Sequence, residues 1–168
     1  VQTCALPIYV GSRDNKLRAI AFDGNMPREL WSEDADTDDR VHNNDWDAAP
    51  IVVNGHLIEG SENSWFYGWR LDRGYDALGE VTLGVEQVFR VKGWDDELVA
   101  DLAGDDPRSL SIESSVAVSG DTAYFQNSGG LVQGWDLSSL RTGVGEVHRT
   151  FRYWTGDDGD STIVVDDE

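Results

Sequence analysis

The sequence predicts an all-β fold assembled from repeated antiparallel units of four short strands. Three observations carry that expectation. First, YVGSRDNKLRAIAFD at Tyr9–Asp23 recurs as LIEGSENSWFYGWRLD at Leu57–Asp72 and, with one extra residue in the turn, as TAYFQNSGGLVQGWDL at Thr122–Leu137. Gly11, Ser12, Ala19 and Asp23 align with Gly60, Ser61, Gly68 and Asp72, and Gly68, Trp69 and Leu71 align with Gly134, Trp135 and Leu137. Each copy reads as strand, Gly/Asn/Ser turn and strand, the pattern of a β-hairpin. Second, a short apolar run recurs at Ile51–Val53, Val116–Val118 and Ile163–Val165, each time after Ala-Ala-Pro, Glu-Ser-Ser or Asp-Ser-Thr. Third, an outer strand follows the hairpin, and Phe89-Arg90 of one unit matches Phe151-Arg152 of the next. One four-stranded sheet cannot cover both of its apolar faces, whereas stacked neighbours can. The expected architecture is a fragment of a β-propeller built from four-stranded antiparallel blades. A β-sandwich is the alternative, but it leaves the recurrence of hairpin plus outer strand unexplained.

Taken in order, the first eight residues, VQTCALPI, match one translated frame of a common sequencing-library adapter and are set aside as non-native. Residues 9–34 read as a partial blade: strand Ile8–Ser12, turn Arg13–Lys16, strand Leu17–Phe22, turn Asp23–Asn25, and strand Glu29–Glu33 with Trp31. Leu17, Ala19 and Ala21 share one face of the middle strand. A polar connection, Ala35–Asp47, leads to a blade at 48–94. There Asn54-Gly55 marks a tight hairpin, Leu57–Ser61 and Trp65–Asp72 are the middle strands, Arg73–Gly84 reads as a loop and Val85–Lys92 as the outer strand. A second acidic connection contains one possible helical turn at Glu97–Leu102. Residues 111–155 form the next blade, with a loop at Ser138–Gly145 and an outer strand at His148–Trp154. Residues 160–168 read as the first strand of a further blade, so the chain is expected to be a piece of a longer repeat protein.

Composition narrows the function classes. Lys and Arg number 13 against 32 Asp and Glu, a formal net charge of −19. Such a field repels phosphate backbones and anionic membrane surfaces, which argues against nucleic-acid binding. No apolar run approaches the roughly 18 residues of a membrane helix, so membrane insertion is not expected. Cys4 is the sole cysteine and lies in the set-aside segment, which removes disulfide, thiolate-metal and cysteine-nucleophile chemistry from the remainder. Seven Trp argue against disorder.

The motif YVGSRDNKLRAIAFD, followed by a Trp-bearing strand (ELW), resembles the repeat of the pyrroloquinoline-quinone-like (PQQ-like) propellers. Asn15 stands where that repeat usually has Gly, and Asn suits a turn of positive φ. The later copies are looser. The resemblance covers nearly all of Tyr9–Glu168 and implies a propeller fold. It also implies two possible functions. One is a non-catalytic, BamB-like propeller of the periplasm, cell envelope or extracellular space that binds protein partners. The other is a quinoprotein dehydrogenase holding PQQ and calcium. Such dehydrogenases commonly set two adjacent cysteines against the quinone, and this stretch has no such pair.

Most of the individual residues fit structural roles. Trp31 and Trp154 on outer strands, and Trp69 and Trp135 on third strands, fit blade packing better than ligand docking. Asp34, Asp36 and Asp38 resemble the start of a calcium loop, but Asp39 stands where that loop needs Gly and Asp45 where it needs Glu. Asp157, Asp158 and Asp160 form a tighter acidic cluster that also suits a polar turn. His42, His56 and His148 lack metal-ligand spacing. Arg90 and Arg152 occupy matching places and suit ion pairs between blades, with the lining of one face as a binding feature as the alternative. No residue is assigned a catalytic, cofactor-binding or metal role. The expectation is a non-enzymatic scaffold whose partners are proteins and the remaining blades of its own propeller, with a PQQ- and calcium-dependent dehydrogenase as the alternative.

Overall fold

Three turns set the architecture. A computed structural model of the chain describes residues 6–22, 26–35, 43–102, 110–143 and 146–166. In it Asn15, Ser64 and Gly130 have φ of 68°, 69° and 78°, at the same place in each hairpin. The carbonyl of each accepts a backbone N–H from just beyond the outer strand: Ala35 at 3.0 Å, Gly93 at 2.8 Å and Thr155 at 2.9 Å. The left-handed residue turns its carbonyl sideways, and that ties the hairpin to its fourth strand. The spacing from Ser64 to Gly130 equals that from Gly60 to Gln126, so the third hairpin carries no extra turn residue. This corrects the gapped alignment of the sequence.

The strands follow the turns. The first sheet contains β1 (Ile8–Val10), β2 (Lys16–Ala21) and β3 (Arg28–Asp34); the second, β4 (Ile51–Val53), β5 (His56–Gly60), β6 (Trp65–Tyr75) and β7 (Val81–Lys92); the third, β8 (Ala117–Ser119), β9 (Thr122–Gln126), β10 (Leu131–Asp136) and β11 (His148–Trp154). Each is an antiparallel meander in chain order. Asn54 and Gly55 both have positive φ, the paired left-handed turn that closes a two-residue hairpin. A β-bulge recurs at Ala19/Ile20, Gly68/Trp69 and Gly134/Trp135. The small residue there faces an aromatic of the outer strand: Ala19 opposite Trp31, Gly68 opposite Phe89 and Gly134 opposite Phe151. A Cβ on Gly68 would lie 2.1 Å from the Phe89 ring, so the glycine makes room for it.

Two apolar cores lie between successive sheets. Leu17, Trp46, Leu57, Tyr67 and Trp69 fill the first. Ile58, Phe66, Phe89, Ile112, Ala123 and Phe125 fill the second. Leu57 and Ile58 are adjacent and point opposite ways, so β5 feeds both cores through strand alternation. A third cluster, Trp94, Leu98, Leu110 and Leu131, closes the outer end of the second interface. Leu98 belongs to α1 (Asp96–Asp101), whose N-cap Asp95 accepts a bond from the Leu98 N–H at 2.9 Å.

The structure departs from the sequence reading in two places. The stretch Arg73–Gly84, read as a loop, continues the β6–β7 ladder as far as Tyr75 opposite Val81. Its tip is fastened by Asp76, whose Oδ1 accepts from the N–H groups of Leu78 (2.8 Å) and Glu80 (3.0 Å). The same end leans on the first sheet, where the Arg28 guanidinium donates to the Val81 carbonyl at 3.0 Å. Second, Ser138–Thr142 is a 3-10 turn rather than an open loop. Ile8 pairs with Ile20 as the strand reading of Ile8–Ser12 expects, and residues 161–166 form no ladder with the described residues. Cys4, the Asp23–Asn25 turn and His42 lie outside the described residues. Among the described residues no helix is long and apolar enough to cross a membrane.

Candidate functional site

The connection entering each blade docks on the end of the preceding hairpin in a fixed way. The Trp46 N–H donates to the Ser12 carbonyl at 3.4 Å, and the Ile112 N–H donates to Ser61 at 3.1 Å. One residue earlier the connection accepts a bond from the hairpin of its own blade. The Glu62 N–H donates to the Asp45 carbonyl at 3.1 Å, and the Ser128 N–H donates to Ser111 at 2.8 Å. The aligned Gly11 and Gly60 permit this approach. A Cβ on Gly11 would sit 2.3 Å from the Trp46 carbonyl oxygen, and one on Gly60 would sit 2.2 Å from Ile112 Cγ2.

The two corners share a backbone but not a chemistry. At the first, Asp45, Asp47 and Glu62 bring carboxylate oxygens within 4.8 Å of one another. At the second, the same places hold Ser111, Glu113 and Ser128, and the Ser128 hydroxyl lies 3.4 Å from Glu113 Oε1. Glu62 is 6% exposed. Burial, then its hydrogen bond with Asp47, pushes its carboxyl up to about 7. Burial and the charge of Asp160 also raise Glu113. Arg13 partly offsets the first corner by reaching Asp47 at 2.8 Å. Such a trio of hard oxygen donors has the chemistry of a divalent-cation site. One buried carboxyl, Glu59 on β5, stands apart. Both of its oxygens lack a hydrogen-bond partner among the described residues, and burial holds it well above the usual carboxylate range.

A second feature lies around the free edge of β7. A groove of about 510 Å³ is lined by Trp65, Arg90, Val91, Lys92, Trp94 and Asp95, with Trp135 and Arg149 on its far wall. The Arg90 guanidinium lies over the Trp65 ring at 4.1 Å, and the Lys92 ammonium lies 5.3 Å from the Trp94 ring. Trp65 and Trp94 meet edge to face at 5.4 Å. Asp95 receives Arg149 at 2.7 Å and Arg152 at 2.9 Å, and these bonds hold its carboxyl well below the usual range.

The residues singled out in the sequence fall mostly into packing. Trp31 meets Trp69 at 5.7 Å inside the first core. Trp135 packs on the second core. The Trp154 indole N–H donates to the Gly129 carbonyl at 3.0 Å. Arg152 makes the expected ion pair, whereas its counterpart Arg90 stacks on an aromatic ring. Asp34 ends strand β3 and receives Lys16 at 2.7 Å, while Asp36, Asp38 and Asp39 lie outside the described residues. Asp157, Asp158 and Asp160 are exposed, and they do not converge as Asp45, Asp47 and Glu62 do. His56 is buried with Nδ1 3.0 Å from the Asn54 carbonyl, and His148 is exposed on β11. Asp47 and Glu62 escaped the sequence reading. The available signal was Glu62 replacing Ser128 at one position of the repeat.

No protein-family model matches the chain, and no curated protein does. Solved structures do. A europium-containing methanol dehydrogenase matches with a TM-score of 0.57 at 14% identity, over 87% of this chain and 22% of that one. The quinohemoprotein alcohol dehydrogenase ADHIIG from Pseudomonas putida HK5 matches with a TM-score of 0.56 at 19% identity, over 92% of this chain and 26% of that one. BamB from Moraxella catarrhalis matches with a TM-score of 0.54 at 12% identity, over 96% of this chain and 53% of that one. The chain thus spans about half of BamB and about a quarter of either dehydrogenase. With its three antiparallel meanders packed face to face, it has the fold of part of a PQQ-like β-propeller.

Proposed function

We propose that this chain belongs to a non-enzymatic propeller of the cell envelope or periplasm that binds protein partners and scaffolds an assembly. The observation that carries the reading is the groove at the β7 edge, where three Trp rings and three cations line an open surface at the rim of two blades. Trp and Arg are the side chains most enriched at the energetic centres of protein interfaces. The likeness to BamB supports the same reading at the level of fold.

A second reading is a calcium- and PQQ-dependent dehydrogenase, favoured by the Asp45, Asp47 and Glu62 oxygens at the first corner. These donors fit calcium. They do not fit the quinone directly, because it is itself a polycarboxylate and would meet like charge there. Calorimetric titration of the full-length protein with calcium and then PQQ separates the two readings. The scaffold reading expects no quinone heat, with or without calcium. Saturable quinone binding that depends on calcium would overturn it. A photo-crosslinking residue placed at Lys92 in cells should in addition give a discrete protein adduct.

A further inference from the structure

The groove at the β7 edge has a chemistry opposite to that of the chain around it. The chain carries a formal charge of −19, yet three Lys or Arg side chains line the groove against one acid. That acid, Asp95, is already held by Arg149 and Arg152. The aromatic walls add no acceptor. Trp, Lys and Arg donate hydrogen bonds and accept none. A ligand matched to this surface must bring acceptors and negative charge.

The shape indicates how that ligand runs. Arg90, Val91 and Lys92 are consecutive residues of an edge strand. Side chains alternate across such a strand: Arg90 lies over Trp65 on one side, and Val91 faces the second core, on which Trp135 also packs, on the other. An extended segment laid along the edge would likewise send alternate side chains to the two sides, while its backbone meets that of the strand.

We propose that this groove binds an extended peptide segment carrying acidic side chains, laid along the β7 edge. The inference rests on the protein-binding reading above and names the chemistry of the partner. The acidic surface elsewhere repels such a segment, so the field that disfavours other docking sites steers it here.

The test uses the full-length protein and short synthetic peptides in which Val alternates with Glu, Gln or Lys, with Trp fluorescence as the readout. The Val-Glu peptide should bind saturably and weaken as salt rises, and the Val-Gln and Val-Lys peptides should bind at least roughly tenfold more weakly. Lys92→Glu, at an exposed position, should cost the Val-Glu peptide roughly tenfold in affinity while leaving the melting temperature unchanged. Equal binding of the three peptides, or an unchanged affinity in the Lys92→Glu variant, would overturn the proposal. So would binding of inorganic polyphosphate without binding of the Val-Glu peptide. If the in-cell crosslinks fall on other surfaces and the peptide fails here, the groove proposal fails while the scaffold reading stands. If calcium-dependent quinone binding appears, the scaffold reading fails irrespective of the peptides.

Discussion

The first and second inter-blade interfaces use one backbone for two different purposes. Both dock the incoming connection through the same pair of main-chain hydrogen bonds, Trp46 to Ser12 with Glu62 to Asp45, and Ile112 to Ser61 with Ser128 to Ser111. The second then fills its places with Ser111, Ser128 and, on the strand, Phe125, which is fully buried. The first fills the same places with Asp45, Glu62 and Glu59. Hydroxyls and a phenyl ring settle quietly in a packed interface. Carboxyls there must be protonated, paired or left to repel one another. The repeat dictates where the chain goes, and the variable residues decide which interface carries electrostatic stress.

The sharpest way to break this comparison is at the glycines. Gly11→Ala drives a Cβ into a backbone oxygen, whereas Gly60→Ala drives one into the Ile112 side chain. Gly11→Ala is expected to cost about 3 kcal/mol in denaturant unfolding, at the upper end of overpacking costs. Gly60→Ala should cost less, because a side chain yields more readily than a carbonyl. Equal, negligible costs would show that the connections do not dock as described.

Glu59→Leu comes next. It replaces an unpartnered buried carboxyl by an apolar side chain, at a place where the third sheet uses Phe125. A stabilisation of about 2 kcal/mol is expected, read as a higher melting temperature.

Glu62 provides a smaller, pH-dependent effect. Its folded carboxyl is raised from 4.5 to about 7, so between these values the folded state holds a proton that the unfolded state releases. The stability it contributes is complete below about 4.5 and is lost as pH rises through about 7. Glu62→Gln should remove that slope, worth about 1 kcal/mol after solvent screening. Calcium bound at the trio would instead raise the melting temperature at neutral pH, an effect that Glu62→Gln should weaken.

The smallest effect is expected from Arg13→Ala. Arg13 sits on Asp47 and its field reaches Glu62. Its loss should move the Glu62 transition to higher pH and leave stability in acid unchanged.

The hairpin repeat was legible because its turns demand particular residues: Asn-Gly at 54–55, and Asn15 or Gly130 at positive φ. The alternation of Leu17, Ala19 and Ala21 was legible for the same local reason, and all three are fully buried. Features that depend on a distant partner were not. The β6–β7 extension reads as a loop in RGYDALGE, since its glycines and charges hide a ladder that the first sheet supports through Arg28. Trp46 sits in an acidic connection, NNDWD, yet it is fully buried, with its indole N–H bonded to the Asn15 carbonyl at 3.0 Å. Its equivalence to Ile112 was hidden because the connections differ in length: 16 residues (35–50) lead into the second sheet and 24 (93–116) into the third. The carboxylate trio joins Asp45 and Asp47 of a connection to Glu62 of a hairpin turn, and only the docking of one on the other brings them together.

The direct test of two interfaces with one backbone and opposed chemistry is a carbon-13 NMR titration of the Glu62 carboxyl in the full-length protein. A midpoint near 7 is the expected result. It should fall in calcium if the trio holds that ion. A midpoint at the ordinary glutamate value would mean that Asp45, Asp47 and Glu62 do not converge, and the account of the first interface would be wrong.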